Sequence, residues 1–297
     1  LLKHFIMSAA DDMSNCAACG KGGDDLKTCN ACKMVKYCNA TCQKAHRPMH
    51  KKECKNRAAE LFDEALFKEP PPKDECPICC VSLPLTNAGS IYKVCCGKIL
   101  CIGCAHGVDQ VDNRALCPFC RTPAAKSDEE YNERIKKRVD DHDPIAIHQL
   151  GCLYRDGNGL TQDYDKALEL LLQAGELGCT PAYYSVGNAY YNGISVERDM
   201  KKATYYYELA AMGGDAISRH NLGVFEYNSG NKNRAVKHFM IGAGAGFDNS
   251  LREIRKCFMA GYATKDDFEK ALRANKEAKD EMRSDQREAA AAFKRSE

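Results

Sequence analysis

Residues 16–54 read CAACGKGGDDLKTCNACKMVKYCNATCQKAHRPMHKKEC, and this stretch decides what the front third of the chain is built around. By position it is Cys16-x2-Cys19-x9-Cys29-x2-Cys32-x5-Cys38-x3-Cys42-x7-His50-x3-Cys54, seven cysteines and one histidine. Spacers of two or three residues let one tight turn aim two donors at one ion, and four such donors close a tetrahedral zinc site with no position left for reactive water. Eight donors are the ligands of two structural zincs. The competing reading is the disulfide framework of a small secreted domain, but the opening LLKHFIMSAADD is too short and too polar for a signal peptide. His46 lies between Cys42 and Cys54 and is an alternative imidazole donor, read here as an exposed helix residue.

Sixteen of the nineteen cysteines precede residue 121, and those beyond the first stretch form a second module. It reads Cys76-x2-Cys79-x15-Cys95-Cys96-x4-Cys101-x2-Cys104-x12-Cys117-x2-Cys120, with Cys80 beside the first pair. Nine cysteines are one more than two zincs require.

The order and spacing of the first module, its Tyr37-Cys38 and Cys42-Gln43 steps and its closing His50-Lys51-Lys52-Glu53-Cys54 resemble a MYND finger over 16–54. That resemblance implies interleaved pairs: Cys16, Cys19, Cys38 and Cys42 on one zinc, Cys29, Cys32, His50 and Cys54 on the other. Spacing alone does not choose this over sequential pairing. Arg47 stands where the family usually carries an aromatic near the end of the finger. The second module, CPICC…CCGKILCIGC…CPFCRTP, resembles a RING finger over 76–123. A cross-brace is implied, with Cys76, Cys79, Cys101 and Cys104 at one site and Cys95, Cys96, Cys117 and Cys120 at the other. Lys98 occupies the position at which a common RING has histidine, so the adjacent Cys95 and Cys96 give an all-cysteine variant with Cys80 as a spare thiol. His106 follows Cys104 too closely to replace a ligand of the other site.

Resemblance to RING fingers implies a ubiquitin ligase that positions a ubiquitin-loaded conjugating enzyme without a covalent intermediate of its own. Ile78 and Pro118 would then make the apolar contact with that enzyme, and Arg121 would hydrogen-bond across to ubiquitin. The plain alternative is that Ile78 and Pro118 pack the finger and Arg121 is solvated. MYND fingers also accompany lysine methyltransferases, but nothing in this chain resembles that catalytic domain.

Beyond residue 142 the chain repeats. Gly151, Gly187 and Gly223 are 36 residues apart, and the same register aligns Tyr154 with Tyr190, Ala167 with Ala203 and Gly178 with Gly214. Each unit reads as a helix, a Gly- and Asn-containing loop and a second helix opening near Asp-x-x-Lys-Ala. A pair of this size cannot bury its apolar face alone, so units stack. The third unit is four residues shorter in its loop, and a degenerate fourth follows with DDFEKAL echoing DYDKALEL. These repeats resemble Sel-one-like repeats, relatives of the tetratricopeptide class, which implies binding of proteins or peptides. Tyr183, Tyr184, Tyr190, Tyr191, Tyr205, Tyr206 and Tyr207 are candidates for such a groove, although tyrosine at helical spacing also serves as packing. Cys152, Cys179 and Cys257 have no partner at metal spacing and read as small buried residues; GAGAG at 242–246 reads as close helix packing rather than a phosphate loop.

The expected organisation is multidomain: two small cross-brace zinc fingers followed by an all-α helical-repeat solenoid. In order it has a tail over 1–15, the first finger over 16–54, a short helix and Pro-rich linker over 55–75, and the second finger over 76–123. A connecting helix over 124–142, repeats over 143–283 and a C-terminal capping helix over 284–297 complete it. Pro70-Pro71-Pro72 separates the fingers, Ser127-x-x-Glu130 signals a helix start and Asp143-Pro144 opens the first repeat helix. Four zincs are expected, and they supply most of the folding free energy of fingers too small to fold on apolar packing.

Net charge is +2, which argues against a general nucleic-acid or membrane role, although residues 16–57 hold ten Lys and Arg against three Asp and Glu. Few aromatics interleave with those cations, so nucleic acid is disfavoured. No stretch approaches the roughly 18 apolar residues of a membrane span. Free thiols in quantity suit cytosol or nucleus, and Met7 is a candidate start. The function expected is a zinc-binding, protein-interacting ubiquitin ligase, or alternatively a non-enzymatic scaffold of the same modules.

Overall fold

The computed structural model describes residues 15–84, 89–111 and 116–296, so the expected tail and Met7 lie outside the described residues apart from Asn15. The chain divides after Lys68 into two compact units.

In the first unit, strands β1 (Lys27–Thr28) and β2 (Lys36–Tyr37) pair antiparallel and lead into helix α1 (Ala40–Leu66). Asn39 starts α1, its side chain accepting from the Cys42 N–H, an arrangement that satisfies an otherwise orphaned helix-end donor. Here the sequence expectation is corrected. The helix does not begin after residue 55 but runs 27 residues from inside the finger, Pro48 included. Its physical origin lies in the ligands: Cys42, His50 and Cys54 are separated by multiples of four, so one face of one helix carries all three.

The second unit opens with the antiparallel hairpin β3 (Ser90–Lys93) and β4 (Lys98–Cys101), followed by α2 (Ile102–Val111) and α3 (Asp128–Asp140). Four antiparallel helix pairs come next: α4 (Pro144–Asp156) with α5 (Tyr164–Glu176), α6 (Thr180–Asn192) with α7 (Met200–Met212), α8 (Ala216–Asn228) with α9 (Lys232–Gly244), and α10 (Asp248–Met259) with α11 (Lys265–Glu281). Helices α3 to α11 pack successively, so the region is a helical-repeat solenoid, and α12 (Asp285–Ser296) is the last described helix.

Why the glycine register exists is visible in the packing. A Cβ on Gly151 would stand 3.1 Å from Leu171, one on Gly187 2.8 Å from Tyr207, and one on Gly223 2.5 Å from Phe239. The first helix of each of the first three pairs thus gives up a side chain so that a large residue of the second can reach its backbone. Between pairs, Gly178, Gly214 and Gly246 adopt φ of +95°, +96° and +98°, the left-handed region that lets a helix stop and the chain reverse. Asp143, Asp163, Asp199 and Asp215 cap α4, α5, α7 and α8 through their side chains. Ser127 accepts from Glu130 N–H as expected, while the Glu130 carboxylate reaches back to Lys126 N–H rather than to Ser127.

The β3–β4 finger is fastened to the repeats. Val94 shares a core with Ile135 of α3 and Leu150 of α4. Tyr92 Oη donates to Asp143 Oδ2 at 2.7 Å, and Arg138 Nη2 donates to the same oxygen at 2.8 Å. Burial pushes the Asp143 carboxyl up, but Tyr92, Arg138 and the N–H groups of Ala146 and Ile145 outweigh it and hold the group below the ordinary carboxylate range. The expectation that the last helix caps the end of the stack is also corrected: α12 packs along α2 of the finger.

Candidate metal centres

Four turns of one design deliver half of the ligands. After Cys16-x2-Cys19, Cys29-x2-Cys32, Cys76-x2-Cys79 and Cys117-x2-Cys120, the next residue donates its N–H to the first cysteine's carbonyl at 2.8–3.0 Å. Those residues, Gly20, Lys33, Cys80 and Arg121, all have left-handed φ between +54° and +71°. The reversal turns both thiols of a pair to the same side. It also accounts for Cys80, which fills the turn position, points to solvent and belongs to none of the donor groups.

The donors converge in four groups, each with its ligand atoms within 4.8 Å of one another. In the first finger these are Cys16, Cys19, Cys38 and Cys42, and Cys29, Cys32, His50 and Cys54; in the second, Cys76, Cys79, Cys101 and Cys104, and Cys95, Cys96, Cys117 and Cys120. A zinc tetrahedron with bonds of ~2.3 Å has sulfurs about 3.8 Å apart. The sulfurs are 3.7 Å apart for Cys19 and Cys38, 3.8 Å for Cys29 and Cys54, 3.9 Å for Cys79 and Cys101 and 3.7 Å for Cys96 and Cys117, and closer for Cys38 and Cys42 at 3.3 Å and Cys95 and Cys120 at 3.4 Å. Such spacing fits thiolates sharing an ion and is far too long for disulfides, and every cysteine is free. Zinc is therefore the cofactor, held at closed four-donor sites that are structural.

At Cys16 and Cys76, the first ligand of each finger, backbone donors favour the charged thiolate, whereas hydrogen bonding to Cys38 raises Cys42 and burial raises Cys54. The Cys38, Cys19 and Ala18 N–H groups hold the Cys16 thiol down to about 6. For Cys76, burial pushes upward, but the N–H groups of Cys101, Cys79 and Ile78 prevail and bring it to about 6.

His46 is not a ligand in this arrangement and is not fully exposed. Tyr37 Oη lies 3.0 Å from its Nδ1, and its ring stacks on that of His50 at 5.5 Å, so it supports the ligating imidazole from behind. His106 lies outside the donor groups, with its ring 5.0 Å from that of Phe293. Ile78 is 42% exposed, Arg121 is exposed and Pro118 is half-buried. Among the tyrosines, Tyr207 is buried and donates to Asn188 Oδ1 at 2.6 Å, Tyr206 stacks on Tyr183 and Tyr190, and Tyr191 and Tyr205 are exposed. The sequence does not disclose Gln286 and Arg287, which reach the second finger from 182 and 205 residues away along the chain; the one local signal is Gly103 inside Cys101-Ile-Gly-Cys104.

Residues 16–54 match the MYND finger. Residues 144–179 and 180–215 match the Sel1 repeat. A short part of the chain is similar in sequence to known methyltransferases: N-lysine methyltransferase SMYD2 of Gallus gallus is 39% identical over 49 residues, 16% of this chain and 11% of that protein. Histone-lysine N-methyltransferase SMYD3 of Homo sapiens is 48% identical over 40 residues, 14% of this chain and 9% of that protein. The ERAD-associated E3 ubiquitin-protein ligase component HRD3B of Arabidopsis thaliana is 28% identical over 120 residues, 40% of this chain and 18% of its own. The chain thus spans less than a fifth of the length of each of these relatives. A Sel1 repeat protein from Oxalobacter formigenes aligns in structure with a TM-score of 0.47 and 27% identity, over 54% of this chain and 67% of that one. The MYND finger and Sel1 repeats are protein-interaction modules, and no described helix is long and apolar enough to cross a membrane.

Proposed function

We propose that the second finger is a RING-type ubiquitin-ligase module and that the MYND finger and Sel1 repeats recruit its substrates or regulators in a reducing compartment, cytosol or nucleus. The observation that carries this reading is the interleaved all-cysteine finger with Ile78 exposed inside its first ligand pair, Pro118 half-buried inside its last, and Arg121 exposed directly after that last pair. An apolar contact flanked by a cation is what a conjugating enzyme and its ubiquitin need in order to be held in a reactive geometry, and such catalysis is positioning. The likeness of part of the chain to a component of a ubiquitin ligase supports the same context.

The test is discharge of thioester-linked ubiquitin from a panel of conjugating enzymes to free lysine, with zinc-loaded protein, Ile78→Ala and Arg121→Ala. Acceleration by the wild type that both variants lose, with zinc retained, is expected. A second reading, a non-enzymatic scaffold, is favoured by Lys98, a hydrated cation on β4 where ligase fingers commonly carry histidine. No acceleration with any enzyme of the panel supports the scaffold and sinks the ligase.

A further inference from the structure

Arg287 of α12 is buried, 8% exposed, at the surface of the second finger. Its Nη1 donates to the carbonyls of Ser82 at 2.7 Å and Met282 at 2.6 Å; Nη2 donates to the Val81 carbonyl at 3.1 Å and lies 4.0 Å from Cys79 Sγ. Its Nε is buried with no hydrogen-bond partner, and among the described residues no carboxylate pairs with it. Carbonyl partners satisfy the donors of a guanidinium withdrawn from water but not its charge, so a buried arginine of this kind calls for an anion close by. Anionic charge is nevertheless at hand. Zinc held by Cys76, Cys79, Cys101 and Cys104 carries a formal excess of two thiolates, so the filled site is the counter-ion.

Two further contacts join α12 to the same site. Gly103, between the ligands Cys101 and Cys104, has no room for a side chain, because a Cβ would stand 2.6 Å from the Arg287 nitrogen and 2.8 Å from the Gln286 carbonyl carbon. Gln286 Oε1 lies 3.4 Å from Cys104 Sγ and accepts from the thiol there, and turning the carboxamide over puts its Nε2 donor against the thiolate once the site is filled. Val81 O meanwhile accepts from Cys76 N–H at 3.0 Å, so the carbonyl that shapes the first ligand turn is shared with Arg287.

We infer that α12 is a strap closed by zinc: Arg287 is a positioning residue for the Cys76, Cys79, Cys101, Cys104 site, and the ion in that site holds the C-terminal helix on the finger. Filling the site and docking α12 are then one cooperative event, which ties the end of the solenoid to the finger that precedes it. Ile78 and Arg121 stay exposed, so the strap grips the finger without covering them.

The full chain is loaded with cadmium at all four sites and read by cadmium NMR, with amide exchange followed across α12. Arg287→Ala is expected to move one resonance, leave three in place, and speed loss of that one ion to a chelator about ten- to a hundredfold. Cys101→Ser, which removes a ligand on β4, is expected to open the α12 amides to exchange while α4 to α11 keep their protection. Four unmoved resonances in Arg287→Ala, or a protected α12 in Cys101→Ser, overturn the inference. Should Arg287→Ala lose both ions of the finger, Arg287→Lys, which keeps the cation and stem but not the fork, decides instead: a shift in one resonance supports the strap and four unmoved ones reject it.

Discussion

The two fingers solve one problem in different ways. Each gathers eight donors into two tetrahedra through the same left-handed cysteine turns. The first takes three of its ligands from a single helix, α1, and its buried residues are chiefly the ligands themselves with Tyr37. The second borrows from the repeats: Val94 packs on Ile135 and Leu150, Tyr92 and Arg138 meet on Asp143, and α12 lies along α2. Metal is close to the whole of the fold in one finger and a part of it in the other.

Chelation is the largest perturbation of this difference. Structural zinc contributes on the order of 10 kcal/mol to a finger that has little else. Removing it is expected to bring the amides of residues 16–54 to full exchange, to leave α4 to α11 protected, and to leave β3 and β4 partly protected where they meet α3 and α4. Equal loss of protection in both fingers, at equal rates, would erase the comparison.

How far the sequence discloses this difference depends on the range of the signal. Ligand turns are local, so Cys-x2-Cys pairs and the 36-residue glycine step are legible, and the packing of Gly187 against Tyr207 supplies the reason for the step. Interleaving is not local: nothing in the spacing distinguishes Cys16 with Cys38 from Cys16 with Cys29, and only the resemblance implied it. The long reach of α1 was concealed because helix periodicity and ligand spacing overlap between residues 42 and 54. The docking of α12 leaves almost no trace, since an arginine in an alanine-rich helix looks like a solvated residue until its distant carbonyl partners are known.

Arg138→Ala should have the next largest effect, because it leaves the Asp143 carboxylate, 11% exposed, without its cation. Hydrogen bonds to charged groups are worth about 1.5–3 kcal/mol. A loss of that size is expected in thermal unfolding of the second unit, together with faster zinc release from the second finger and unchanged release from the first. Equal acceleration in both fingers would show that the anchoring is not specific.

Gly223→Ala tests the solenoid on which the second finger leans. Its new methyl would meet Phe239 at 2.5 Å, a ring that is itself 1% exposed and cannot swing away. Overpacking of this kind costs about 1–3 kcal/mol. Melting of the repeats should drop accordingly, with zinc in the first finger untouched.

Tyr92→Phe is the mildest and most pointed change, since it removes one hydroxyl and keeps the ring. The hydroxyl it deletes bonds an ionised carboxylate, worth about 1.5 kcal/mol at the low end for bonds to charged groups, and Asp143 retains Arg138 and two backbone N–H donors, so the fold should survive. The Tyr92 hydroxyl helps hold the Asp143 carboxyl low, so its stabilisation is present above the ordinary carboxylate range and is lost as pH falls through the lower folded value. At neutral pH the wild type should therefore exceed the variant by about 1.5 kcal/mol in the second unit, and the gap should close as pH falls from the ordinary carboxylate value through the lower folded value of Asp143, below which the carboxyl is neutral in both. Zinc leaves fingers under acid, so the comparison is made on the melting of the repeats after chelation at every pH, where the hairpin's residual hold on α4 is the only thing measured. A gap that stayed constant with pH would assign Tyr92 a packing role alone and remove the carboxylate from the anchor of the second finger.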